Sequence, residues 1–162
     1  MRKERGFSLI ELLIVIAIIG ILATIAVPNL LNAMQRAKQK RTMADMRNIA
    51  SALEARHVEV NSYNAAGATS FAWPTSALTY PDLVAEIYPT YMRNQVPEFD
   101  GWSNALEFTA EEFTYSIRSY GGDRAAEGAT YTPGPIRNFN CDIVYANGGF
   151  ITYPEGIQNS AT

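Results

Sequence analysis

Glu11 is the first residue of this chain that asks for a chemical reason. It is the single charge within Phe7 to Val27, FSLIELLIVIAIIGILATIAV, and a carboxylate in a membrane-length apolar segment costs a few kcal/mol to insert. Such an acid persists when a cation pairs with it or when it reaches the interface by snorkelling. Other residues with chemical potential are sparse. His57 lies among charged neighbours with no second His or Cys at metal-ligand spacing, and reads as a surface or packing residue. Glu111-Glu112 has no companion acid or nucleophile pattern and reads as a solvated turn. Cys141 is the sole cysteine, so no intramolecular disulfide can form, and it is expected to be a small buried apolar residue. Nothing here assembles a catalytic set, and the chain is not expected to be an enzyme.

The element that must carry Glu11 is a helix. Twenty-one residues at 1.5 Å each reach about 32 Å, which matches a bilayer core. Arg2, Lys3 and Arg5 precede the run, so the amino terminus is expected in the cytoplasm and the rest across the membrane. Thr24-Ile25-Ala26 loosely resembles a signal-peptidase site. The run, however, is longer than a usual signal core, carries an acid and passes into further helix without a turn, which argues for a retained span. Beyond Pro28, Leu31, Met34, Ala37, Ala44, Ile49, Ala52, Leu53 and Val60 approximate a 3.6-residue period, with Gln35, Lys38, Arg41, Asp45, Asn48 and Arg56 mostly opposite. An amphipathic helix is expected over 28–60, continuous with the span over 7–27. Gly20 and Pro28 mark its weakest stretch, because Pro28 cannot donate to Thr24 and Gly is a poor helix former.

Past residue 60 the signals become turns and strands. A short helix is expected from Pro81 to Tyr88 with Leu83, Val84 and Ile87 inward. Ala105 to Thr109 reads as a strand. Phe113 to Ser119 alternates Phe113, Tyr115 and Ile117 against Thr114, Ser116 and Arg118, a half-buried pattern. Ile143 to Ala146 and Phe150 to Tyr153 flank Asn147-Gly148-Gly149, a hairpin signal. The expected fold is α+β: a long amino-terminal helix whose amphipathic half packs on a small antiparallel sheet within 61–162.

Charge narrows the partners. The net charge is −3, and removal of residues 1–6 would leave ten basic against fifteen acidic residues, which gives no global attraction to nucleic acid. Arg36, Lys38, Lys40 and Arg41 read as a solvated helix face. The tyrosines and phenylalanines alternate at strand spacing, which points to core before base stacking.

Arg5-Gly6 followed by Phe7-Ser8-Leu9-Ile10-Glu11, the apolar run and Pro28 resemble the amino-terminal signal of type IV pilins and of the pseudopilins of type II secretion. The resemblance implies that 1–6 is a leader removed by prepilin peptidase between Gly6 and Phe7, that the new Phe7 amine is methylated, and that subunits leave the inner membrane to stack into a filament. Phe7, Glu11, Gly20 and Pro28 are then the assembly candidates: a carboxylate four residues from a fresh amine lies within reach of its own or a neighbour's terminus. Tyr88-Pro89-Thr90-Tyr91-Met92, Val96-Pro97, Asp100-Gly101-Trp102-Ser103-Asn104 and Ser119-Tyr120-Gly121-Gly122-Asp123 look like the major pseudopilin, with Ser103 and Arg124 standing where that family has Gly. Asp100, Trp102 and Asn104 read by themselves as a turn with a packed indole.

Major pseudopilins bind calcium in loops near the carboxyl end. The resemblance places Asp123 at the family's loop carboxylate, and Asp142 in Asn140-Cys141-Asp142-Ile143 is the candidate for a second, with the carbonyl of Ser119 as a further ligand. Two carboxylates and loop carbonyls suit a cation that takes six to eight oxygens. The implied partners are further copies of the chain through the amino-terminal helices, prepilin peptidase, the inner-membrane assembly platform and minor pseudopilins. A surface type IV pilus subunit is the alternative within this class; a monomeric membrane-tethered binding domain is the alternative outside it, and it leaves Glu11 unexplained.

Overall fold

The computed structural model describes residues 6–60, 71–73, 77–111 and 114–159. Residues 1–5 of the expected leader and Phe113 of the expected strand lie outside these. The chain divides into two compact units, Met1–Met34 and Gln35–Thr162, and helix α1, Leu9–Val60, has residues in both.

In the first unit, every residue from Gly6 to Leu31 is exposed. The helix starts on a reach-back cap. Glu11 is its third residue, and Glu11 Oε2 accepts from the Ser8 backbone N–H at 3.0 Å, half of a capping box that also sets the acid against the positive end of the helix dipole. The stretch from Gly20 to Pro28 is helical. Around the proline, side chains bond nearby carbonyls: Thr24 Oγ1 donates to Ile21 O at 2.7 Å and Asn29 Nδ2 to Ile25 O at 3.1 Å.

In the second unit, the later part of α1 buries Gln39, Thr42, Met46, Ile49, Ala50, Ala52 and Leu53. Ile49, Ala52 and Leu53 were expected inside. Leu31, Met34, Ala37 and Ala44 are exposed instead, and two polar residues, Gln39 and Thr42, replace apolar ones at the start of the buried stripe. The period was legible, but its phase depends on which polar side chains find partners. Gln39 Nε2 donates to Gln158 Oε1 at 3.3 Å, and Thr42 Oγ1 donates to Lys38 O and accepts from Gly101 N.

Helix α2, Tyr80–Ile87, is capped by Thr79, whose hydroxyl accepts from Asp82 N, and it buries Leu83 and Ile87. Among the described residues the strands are, in chain order, β1 Phe71–Ala72, β2 Ala77–Leu78, β3 Glu107–Ala110, β4 Tyr115–Ser119, β5 Thr130–Tyr131, β6 Gly134–Asn138, β7 Ile143–Ala146 and β8 Gly149–Asn159. Six form one sheet in the order β2-β3-β4-β7-β8-β6, and β1 pairs with β5 separately. The expected hairpin is β7–β8, turned by Asn147 and Gly148, both at positive φ. The sheet is antiparallel except at β6–β8, which is parallel.

The alternation expected in β4 is not observed: all five of its residues are buried. One face meets α1 through a core of Met46, Ile49, Leu53, Phe108, Tyr115 and Ile117, where each large side chain contributes about 1.5–3 kcal/mol. The other face is covered as well. There Arg118, expected in water, lies 4.2 Å from the Trp73 ring centroid and donates to the Tyr131 hydroxyl.

Candidate functional site

Two loops lie at the end of β4, and each centres on a buried aspartate. The first is the turn before β3. Asp100 Oδ1 accepts from the backbone N–H of Trp102 and of Asn104, both at 2.8 Å, the local bonding that Asp supplies in turns. Asp100 Oδ2 accepts from Ser119 Oγ at 2.7 Å and from Asn104 Nδ2 at 3.5 Å, and Asn104 Nδ2 also donates to Gly121 O at 2.8 Å. The turn docks on α1: Trp102 Nε1 donates to Gln35 Oε1 at 2.6 Å. A Cβ at Gly101 would stand 2.3 Å from the Lys38 carbonyl oxygen, so only Gly permits this approach.

The second loop joins residues 119–128 to 138–142. Gly121 has φ +64, and a Cβ there would meet the carbonyl oxygens of Cys141, Asn140 and Phe139 at 2.6–2.9 Å. Asp142 is fully buried. Its Oδ2 accepts from the Tyr131 hydroxyl at 2.5 Å and from Glu127 N at 3.0 Å, while Asp142 N donates to Glu127 Oε2 at 3.3 Å. Among the described residues, Asp142 Oδ1 is buried with no hydrogen-bond partner. Burial raises the Asp142 carboxyl pKa above its ordinary value, against the lowering effect of the Tyr131 bond.

Cys141 is half-buried rather than buried. Its thiol is pushed up to about 11, first by burial and then by Glu127, with smaller effects of Asp142 and Asp123. All three acids therefore act on one thiol. Asp123 is exposed, and its Oδ1 accepts from Ala125 N at 3.0 Å, closing an Asx turn.

Arg118 ties the second loop to the sheet. Its Nε and NH2 donate to Glu107 Oε2, NH1 donates to Gly128 O at 3.1 Å and to Tyr131 Oη at 2.8 Å, and NH2 also reaches Tyr120 Oη. Burial is the largest single influence on its pKa and lowers it, but the hydrogen bonds and charges of Glu107 and Tyr131 act together against burial and leave the pKa raised. Every guanidinium nitrogen thus has a partner, which is what a buried cation requires.

The residues expected to matter divide accordingly. Asp123 and Asp142 come to the same loop pair. Ser119 lies beside it at the end of β4, but its hydroxyl is turned to Asp100. Glu127 was missed by sequence reasoning; it lies between the two aspartates in the chain, and only the exchange of amide bonds with Asp142 marks it. Gly6, Phe7, Glu11, Gly20 and Pro28 belong to the first unit. Among the described residues, a Cβ at Gly20 would meet nothing within 4 Å. Ser103 and Arg124, at the two positions where glycine was expected, both have φ +66.

Residues 1–27 match the prokaryotic N-terminal methylation motif, and residues 29–136 match type II secretion system (T2SS), protein G. The chain belongs to the type II secretion protein G family. Ser119 and Asp123 fall within that match, and Asp142 lies beyond its end. The type II secretion system core protein G of Vibrio cholerae is 30% identical over 150 residues, 86% of this chain and 94% of that protein. That of Escherichia coli is 31% identical over 125 residues, 75% and 83% of the two chains. The type IV wide pilus major component PilA4 of Thermus thermophilus is 48% identical over 63 residues, only 39% of this chain and 48% of its own. The broad coverage by protein G relatives favours the pseudopilin over the pilin alternative. No solved structure matches the chain. A protein G family member is a structural subunit, and the apolar α1 and the methylation motif agree with membrane anchoring, processing and filament assembly.

Proposed function

We propose that this chain is the major subunit of a type II secretion pseudopilus, cut by prepilin peptidase between Gly6 and Phe7, methylated at Phe7, and polymerised through α1 to drive protein export. The observation that carries the reading is the amino-terminal helix: every residue from Gly6 to Leu31 is exposed, one acid sits in its first turn, and α1 is long and apolar enough to cross a membrane. Lipid covers that surface in the monomer, with the amino terminus cytoplasmic and the sheet-bearing unit periplasmic; neighbouring helices cover it in the polymer.

Glu11 acts in both states. In the precursor its carboxylate caps its own helix through Ser8. Cleavage exposes the Phe7 amine, a stronger donor, and in a low-dielectric helix bundle a neighbour's amine pairs with Glu11 only at one axial register. Mass spectrometry of the mature chain tests the processing, with methylated Phe7 as the expected first residue and retained Met1 overturning it. Glu11→Ala is expected to insert in the membrane and fail to form filaments; normal filaments would refute the register role.

The same family reading leads us to propose a calcium ion at the second loop. Asp142 supplies the fit: a buried carboxylate oxygen without a partner is what a resident cation would satisfy. Asp142, Asp123 and loop carbonyls such as that of Ser119 would hold it, and carbonyls would carry much of the load, since among the described residues no three His, Cys, Asp or Glu side chains form a group that could hold a metal ion. When bound, calcium supplies two positive charges and bridges segments far apart in sequence. Thermal melts of the detergent-solubilised full chain, with calcium or with chelator, are expected to differ by several degrees, and equal melts would retire the ion.

A further inference from the structure

The Asp142 carboxylate is held from one side only. Oδ2 carries both of its bonds, from the Tyr131 hydroxyl and from Glu127 N, and Oδ1 carries none among the described residues. The Tyr131 hydroxyl is itself fixed, because Arg118 NH1 donates to it at 2.8 Å. Arg118 in turn cannot swing: Glu107 takes Nε and NH2, Gly128 O shares NH1, and the Trp73 ring lies 4.2 Å from the guanidinium carbon. Arg118 to Tyr131 to Asp142 is therefore a chain of hydrogen bonds running from a locked cation to one oxygen of a buried acid, and each bond in such a chain strengthens the next.

We propose that Tyr131, held by Arg118, is the positioning residue of the calcium site: it pins Asp142 through Oδ2 and leaves Oδ1 for the cation. This rests on the calcium reading above. Tyr131 does not touch the ion. It sets the orientation of a group that does, and partners of that kind typically affect metal affinity by 10–100-fold. The arrangement also explains an arginine close to a divalent site. The guanidinium donates to Glu107, Gly128 O and Tyr131 rather than to Asp142, so no arginine nitrogen takes the place of the cation at Oδ1.

Calcium titration calorimetry on the detergent-solubilised full chain tests this with three proteins. Tyr131→Phe keeps the buried ring and deletes the hydroxyl, and is expected to weaken calcium binding by about 10–100-fold. Tyr115→Phe is the control. Tyr115 is equally buried and its hydroxyl donates to Glu54, so its loss destabilises the fold without moving the calcium affinity. Wild-type affinity in Tyr131→Phe would overturn the positioning role while calcium binding itself stands. Absence of binding by the wild-type chain would overturn the calcium reading and this inference together. Should Tyr131→Phe fail to accumulate, Arg118→Lys is read the same way, since one ammonium cannot serve Glu107, Gly128 and Tyr131 at once; unchanged affinity there also refutes the proposal.

Discussion

Asp100 and Asp142 are both buried and both set in loops at the end of β4, yet their surroundings differ in one respect. Asp100 has four donors shared over its two oxygens, from Trp102, Asn104 and Ser119. Among the described residues Asp142 has two, both on one oxygen. The first carboxylate is complete within the chain and serves as a strut between a turn, β4 and the loop at Gly121. The second is half-complete, and the chain supplies a cation only at one remove, through Tyr131. A buried acid that is fully bonded holds the fold by itself, whereas one with an orphaned oxygen asks for something from outside.

Substitutions can break this contrast in order of size, and chemical denaturation of the full chain without calcium measures each, repeated with calcium for Asp142→Asn. Asp100→Ala leaves two buried amide donors without acceptors and is expected to cost about 3–5 kcal/mol, with each donor worth about 1–3. Ser119→Ala removes one of the two donors to Asp100 Oδ2 and is expected to cost about 1–2 kcal/mol. Ser103→Gly, in the Asp100 turn, and Arg124→Gly, in the Asp142 loop, are each expected to gain about 1 kcal/mol, because both residues hold a left-handed backbone that costs about 1–2 kcal/mol for a residue with a Cβ. Asp142→Asn keeps an acceptor for Tyr131 and Glu127 N and discards a buried charge. It is expected to change calcium-free stability by less than about 1 kcal/mol and to abolish the stabilisation by calcium. A large calcium-free loss for Asp142→Asn would erase the distinction between the two aspartates.

The sequence showed local and periodic features well. The short helix near Pro81 with Leu83 and Ile87 inward, the Asn147-Gly148 hairpin and the long apolar helix follow from neighbours a few residues apart, where turn chemistry and side-chain period act directly. The resemblance also pointed to Asp123, and Asp142 stood beside it only as a candidate for the same site. What failed was whatever depended on a second layer. Arg118 read as solvent-facing because alternation describes a sheet with one wet face, and the segment carrying Trp73 and Tyr131 covers that face. The apolar residues 31, 34, 37 and 44 were set inward because period alone does not fix phase, and Thr42 and Gln39 take those places by hydrogen-bonding Gly101 and Gln158.

By itself, then, the sequence determined the processing signal, the membrane-length helix with Glu11 in its first turn, and the family. These depend on residues in a row, and the length and apolarity of a helix are written in its own consecutive residues. Tertiary structure alone decided which acids have partners. Glu127 meets Asp142 across fifteen residues, Ser119 turns to Asp100 across nineteen, and Tyr131 connects Arg118 to Asp142. Hydrogen bonds act over about 3 Å, so a polar group's role is settled only when folding brings distant segments within that distance.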